Sequence, residues 1–532
     1  MATAIDAALA TGLDVGVTNK TFATSGNHAL RSNQRVFALE KGAHIHGTQA
    51  SGYTFQTTGF PTATIATLAT AISVVPYVWT ATFDSTANFI PGQAILMHDP
   101  VTDQFEVNVV RDIVSNSVVF QWPLLCPFPV PARVLVRDLN PIINARIEGL
   151  RITGSGTGGS VQFLYTNNCG LVDCVLGENG GLGASFEGSL FPYAEQVDVA
   201  GTDASGIGFR VVRAFRADFC TTSKAPLSDE PFTVYLNSGP GRFLGCDAVG
   251  ELFGQAGAQG NSFLIDTRCA FIDVIGCSGE GARTYHVLST GTDLTGASLY
   301  AGNRDIQVVG GRWGRANLGH VKFENTVGGV IDHNSCANVV DATDSIEGGV
   351  ATASIQAKAD CSNIFMGPGN TFTAFAGIAL RDLQASPSKG YMSRLGVGTT
   401  APYGTHDVRG SFTVTSQDFV AGTTGSVIAF SLGASTGNTF GQLNVGNNGD
   451  NDVSFLSLMR FGGGVGVGRT SSVSGGLLEV NGRLVQNVSS EAPTLTVNND
   501  MAMQIVDNST LRMHLRGTDG TTRTFTLTAD AP

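Results

Sequence analysis

Between about residues 142 and 380 the chain is a succession of short apolar runs, each closed by Gly, Asn, Asp, Ser or Cys. Cys169-Gly-Leu-Val-Asp-Cys-Val-Leu-Gly, Cys269-Ala-Phe-Ile-Asp-Val-Ile-Gly-Cys, Asn303-Arg-Asp-Ile-Gln-Val-Val-Gly-Gly, Val327-Gly-Gly-Val-Ile-Asp-His-Asn-Ser-Cys and Cys361-Ser-Asn-Ile-Phe-Met-Gly-Pro-Gly-Asn share that plan. Apolar and polar positions alternate within the runs, the mark of strands, and a 3.6-residue helical period is scarce. Phe243, Ile272, Ile306, Val330 and Ile364 read as equivalent positions. They lie roughly 24 to 34 residues apart, a solenoid period. One such run cannot bury its own apolar side chains. Stacked on its neighbours, it pairs its backbone groups above and below and contributes to one continuous core. The pattern therefore predicts a parallel β-helix. Asp273 is expected to point outward between inward Ile272 and Val274.

Around this stack the pattern changes three times. Ala-rich residues 2–10 predict a short helix, with Thr3 as N-cap and Gly12 as C-cap. Two short strands follow, ending near Gly42 and Gly47. Residues 60–140 alternate like antiparallel strands, with turns at Pro91-Gly92 and Ser115-Asn116, and predict an inserted small β domain. Trp79 and Trp122 are expected as packed aromatics of that domain. After residue 384 a Gly-rich motif occurs twice: Leu395-Gly-Val-Gly-Thr-Thr with His406-Asp-Val-Arg-Gly, and Val465-Gly-Val-Gly-Arg-Thr with Leu478-Glu-Val-Asn-Gly. Asp519-Gly520, between two alternating runs, signals a terminal hairpin. The predicted organisation is 1–59 capping helix and first strands, 60–140 inserted β domain, 141–384 β-helix and 385–532 β-rich C-terminal region.

Composition narrows the function. Charged residues are 14%, Gly numbers 68 and the formal charge is −12. No cluster of Lys and Arg offers a phosphate-binding face, so nucleic acid is not an expected partner. No apolar run has bilayer length, so membrane insertion is not expected either, and no charged-then-apolar leader opens the chain. The nine Cys form no CxxC pair or Cys/His metal spacing and are expected as reduced core thiols. His28, His44 and His46 alternate without matching carboxylates, so no metal is assigned, and no cofactor motif is present.

The opening helix, the stretch Leu30-Arg-Ser-Asn-Gln-Arg-Val-Phe-Ala-Leu-Glu-Lys-Gly-Ala-His-Ile-His-Gly, the rungs and the duplicated Gly-Val-Gly units together resemble the pectate-lyase-like β-helices of bacteriophage tailspikes and tail fibres. The resemblance covers most of the chain. It implies an all-β protein, a right-handed parallel β-helix with an inserted small β domain and a C-terminal trimerisation region. It implies a homotrimeric receptor-binding component of the phage tail, made in the host cytoplasm, that binds a bacterial surface polysaccharide and either cleaves it or only adsorbs to it. The alternatives are a purely structural tail-fibre protein and a free polysaccharide lyase or hydrolase. No separate particle-binding domain is evident before the helix, so attachment to the tail or to an adaptor protein is expected at the N-terminal end.

Glycan hydrolysis needs two carboxylates on one wall. Glu251, Asp266 and Glu280 fall in successive rungs and are the expected catalytic set. Tyr235, Tyr285 and Trp313 are the expected sugar platforms, and Arg312 and Arg315, flanking Trp313, the expected contacts to an acidic glycan.

Overall fold

The computed structural model describes residues 2–382 except 74–77, 155–156, 158, 180, 203–204, 224–229, 250–259, 283, 292–301, 317, 338–342, 345–349, 352 and 374–377. Beyond these it describes residue 384, the strands Leu395–Val397, His406–Val408, Phe412–Thr415, Ser426–Leu432, Gly441–Asn447, Val465–Val467, Leu478–Val480 and Met501–Asp507, and residues 510–528. The chain divides into two units, one holding nearly all of residues 1–395 and the other most of 396–532.

The first unit is a parallel β-helix. Its backbone visits three sheets in turn, as in Arg146–Glu148, Arg151–Gly154 and Val161–Leu164, and then returns to the first sheet at Gly170–Val172. The first and second sheets have 11 strands each and the third has 10. Inward residues stack in columns. On the first sheet Ile147 lies on Leu171, then Ala194, Ala217, Phe243, Val274, Val308, Ile331 and Met366. This register corrects the expected set of equivalent positions. Phe243 pairs with Val274 rather than Ile272, and Ile306 pairs with Gly329 rather than Val330. Period-two alternation accounts for the slip at Val330: one step along a strand turns a side chain to the other face. Asp273 does point outward, between fully buried Ile272 and Val274.

A two-residue turn, its first residue left-handed, joins the first sheet to the second in rung after rung. Gly149, Asp173, Gln196, Phe219, Gly245, Gly276, Gly310 and His333 occupy that first position with φ between +51 and +71. From Gly149 to Gly310, each N–H donates to a carbonyl of the next rung, as Asp173 does to Glu195 and Gly310 to Asp332. This left-handed conformation costs a non-glycine residue about 1–2 kcal/mol, which explains the turn residues that punctuate the sequence.

Behind the third sheet Phe163, Phe186 and Phe209 stack with ring centroids 5.3 and 5.1 Å apart. Behind the second sheet runs a column containing Cys174, Cys220, Cys246 and Cys277. All nine Cys are buried and free. Past Cys277 the column continues as Gly311, Asn334 and Asn370, where Asn334 Nδ2 donates to Asn370 Oδ1 at 3.0 Å.

The helix Ala2–Ala10 packs Leu9 into the end of the core. Gln34 Nε2 donates to the carbonyls of Leu9 and Leu13 and so ties the end of the helix to the strand that follows.

Residues 60–140 form a six-stranded sheet, from Phe60–Thr67 to Leu135–Asn140, paired antiparallel throughout. Gly92 and Ser115 make its turns with positive φ. It is fastened to the stack by the buried ion pair of Glu106 and Arg213, by Asn237 donating to the Phe105 carbonyl, and by Trp122 against Phe191. Trp122 is packed as expected. Trp79 is 42% exposed and is not.

Each copy of the duplicated motif forms a two-stranded sheet. Leu395–Val397 pairs with His406–Val408, and Val465–Val467 pairs in parallel with Leu478–Val480. Met501–Asp507, Thr510–Arg516 and Thr522–Thr528 make an antiparallel sheet, the last two strands joined through Asp519 and Gly520.

Candidate functional site

The second sheet carries a groove of about 360 Å³ on its outer face. Four short strands build it: Asp247–Val249, Ser278–Glu280, Arg312–Trp313 and Ser335–Ala337. Alternation turns Ala248, Trp313 and Cys336 inward and leaves their neighbours facing out. Asp247, Ser278, Arg312 and Ser335 are register partners and form one outward column across the rungs. Adjacent strands lie about 4.8 Å apart, so Asp247 and Arg312, two rungs apart, are separated by ~10 Å along the groove.

Glu280 sits in a clamp made by the next rung. Its Oε1 accepts from Arg315 Nε at 2.9 Å and its Oε2 from the Arg315 backbone N–H at 3.3 Å. The clamp requires glycine at 314, because a Cβ there would lie 1.7 Å from Glu280 Oε2. Two buried imidazoles hold Gly314 from inside. His286 Nε2 is 3.2 Å and His320 Nε2 3.0 Å from the Gly314 carbonyl. A carbonyl only accepts, so both Nε2 atoms carry the proton, and both Nδ1 atoms accept hydroxyl protons, from Ser262 at 2.9 Å and Ser354 at 2.7 Å. Burial, with the neighbouring His320, pushes the His286 ring down to about 3, and burial also lowers His320. The rings stack 5.8 Å apart as neutral groups.

Of the residues singled out from sequence, Glu280 and Arg312 line the groove on its outer side, and Arg315 is joined to it through its bond to Glu280. Trp313 lies beneath it with 1% of its surface exposed, its Nε1 donating to Asn334 Oδ1 at 3.1 Å. This corrects its expected role as a platform: the ring has no face left for a sugar. Tyr285 is likewise 4% exposed, with Lys322 Nζ 4.9 Å from its ring centre. Tyr235 and Asp266 stand in register with each other on the third sheet, in a column with Arg210, which bonds Glu187 at 3.0 Å. Asp266 and Glu280 thus lie on different sheets and do not form the expected shared wall, and Glu251 lies outside the described residues. The groove residues not anticipated are Asp247, Ser278 and Ser335. Each follows a buried Cys or Asn of the inner column, and that adjacency was the available signal. Among the described residues no three His, Cys, Asp or Glu gather as a metal site, and no helix is long and apolar enough to cross a membrane.

No protein-family model and no curated protein matches the chain. Solved structures with similar traces include the Gp54 tailspike of Acinetobacter baumannii bacteriophage AP22 in complex with a capsular saccharide. It is 11% identical with a TM-score of 0.45, covering 82% of this chain and 84% of that one. The tailspike gp61 of Pseudomonas phage phi297 matches at 11% identity and a TM-score of 0.45, covering 78% of each chain. The A-module of the Azotobacter vinelandii mannuronan C-5 epimerase AlgE6 matches at 10% and 0.43, covering 73% and 94%. These traces are too distant to carry an argument; the parallel β-helix stands on its own strand register.

Proposed function

We propose that this chain is a bacteriophage tailspike whose second-sheet groove binds a bacterial surface polysaccharide during host adsorption. The observation that carries this reading is the groove itself. It is open, crosses four rungs and presents Asp247, Ser278, Glu280, Arg312 and Ser335, a mixed set of donors and acceptors suited to sugar hydroxyls. Its backbone is held on both sides by strand ladders, so little ordering cost attends binding.

The reading includes a homotrimer in the virion tail. Met501, Met503, Phe525 and Leu527 share one face of the terminal sheet and are 59, 38, 54 and 61% exposed. Contiguous apolar surface of this kind is covered in a working assembly, and further copies of the chain would cover it. Attachment to the tail or an adaptor is assigned to the N-terminal end, and nine unpaired thiols accord with synthesis in a host cytoplasm.

Cleavage is the second reading. Asp247 and Glu280 line the same groove one rung and two residues apart, which makes them, rather than Asp266, the carboxylates to test. The experiment is incubation with polysaccharide from a susceptible host. Retention on the glycan with unchanged chain length is expected. Shortened chains with new reducing ends, abolished in Asp247→Asn or Glu280→Gln, would establish the enzyme instead. No retention and no shortening would overturn both readings.

A further inference from the structure

We propose that the groove selects a saccharide bearing an anionic substituent and seats that substituent at its Arg312–Ser335 end. This rests on the glycan-binding reading and adds a substrate class to it. The argument begins with what the groove's charges already do. Glu280 and Arg315 satisfy each other. Asp247 accepts the Ser278 hydroxyl at 2.8 Å. Arg312 is exposed, and among the described residues its guanidinium has no carboxylate or carbonyl partner. By contrast, Arg35, Arg146, Arg210, Arg216 and Arg242 on the stack each meet a carboxylate. An unpaired guanidinium inside a cavity of a protein with net charge −12 is a built cationic point.

Its surroundings match an oxyanion. Ser335 is the register partner of Arg312 on the next rung and adds a hydroxyl beside the guanidinium fork. A planar guanidinium binds carboxylate or phosphate through two parallel N–H donors. The opposite end of the groove carries Asp247, ~10 Å away by rung spacing and about one screening length at physiological salt. That end repels an anion and accepts sugar hydroxyls. The two ends therefore fix the direction in which an acidic saccharide lies across the rungs. The Glu280 clamp and the buried imidazoles keep the wall between them in place, so selection does not depend on a loop closing.

The carboxylate of a uronic acid and a sugar phosphate share this chemistry, and the test separates them. The full chain is titrated with tetragalacturonate, with its neutral carboxyl-reduced counterpart and with glucose 6-phosphate, followed by saturation-transfer NMR. The uronate is expected to bind, to bind more weakly at 300 mM than at 20 mM NaCl, and to lose about tenfold or more in affinity in Arg312→Ala, with partial recovery in Arg312→Lys. Binding of glucose 6-phosphate but not uronate, with the same dependence on Arg312, supports the proposal with phosphate as the substituent. Equal affinity for the neutral oligomer, unchanged uronate binding in Arg312→Ala, or no binding of either anion overturns it. Because Arg312 is exposed, the variant should melt with the native protein. Retention of host polysaccharide by Arg312→Ala at native strength would end the anion selection while leaving the glycan-binding reading intact. Loss of retention by the native protein itself would end that reading.

Discussion

At the scale of single residues, the most demanding contact is not in the groove. Glu106 and Arg213 are both fully buried, bonded Oε1 to Nη2 at 2.5 Å, one on the inserted domain and one on the stack. Burial pushes the Glu106 carboxyl up, while Arg213 and the N–H groups of Cys126 and Leu125 pull it down. Removing one partner would strand the other charge away from water. Arg213→Met is expected to destabilise the protein by about 3–5 kcal/mol, and adding Glu106→Gln should recover part of that loss. Urea unfolding followed by tryptophan fluorescence measures both. Neither residue could be paired from sequence, because 107 positions separate them. Trp313 shows the same limit: its flanking arginines were visible in the sequence, but the direction of the indole depended on which face of a two-residue strand it occupied.

At the scale of elements, the rung explains what the groove can be. Ser262, His286, His320 and Ser354 are consecutive members of one inward column, and they grip the turn that holds Glu280. The native protein keeps His286 neutral down to about pH 3, whereas an unfolded chain protonates it below about pH 6.5. The unfolded state then binds more protons, so stability is intact above pH 6.5 and falls as pH drops toward 3, by ~1.4 kcal/mol per unit for this ring. The melting temperature should decline across that window, and His286→Phe should flatten the decline. A decline of equal steepness in the variant would show that other groups cause it. The turns at Gly149, Asp173, Gly245, Gly276 and Gly310 were legible in the sequence, because left-handed φ draws Gly and Asp, whereas those at Gln196, Phe219 and His333 carried no such signal. The register was less legible: Val330 was one residue out, since adjacent Gly328 and Gly329 blur the alternation.

At the scale of the whole molecule, the terminal sheet tests assembly. One face presents Met501, Met503, Phe525 and Leu527 to solvent, an arrangement that a lone chain would pay for in solubility. Phe525→Asp is expected to shift the particle from three chains toward one in light scattering, whereas Thr526→Asp, on the opposite face, should leave it unchanged. A single-chain mass for the native protein would remove the trimer from the proposal. The duplicated Gly-Val-Gly motif was legible in the sequence as a repeat, and each copy forms a two-stranded sheet, because repeated sequence with the same apolar spacing meets the same local constraints.

Local alternation, turn residues and repeat spacing determined by themselves that this chain stacks parallel rungs, interrupts them with an antiparallel domain and opens with a helix. Each of those signals acts over a few residues, where backbone sterics and the burial of one face decide the outcome. Tertiary structure alone decided which side chains meet. Pairing of strands across rungs brought Asp247 into one groove with Glu280 and Arg312, while Asp266 stands on another sheet with Tyr235. The chemistry of the site is a property of that alignment across rungs, to which spacing along the chain is only a weak guide.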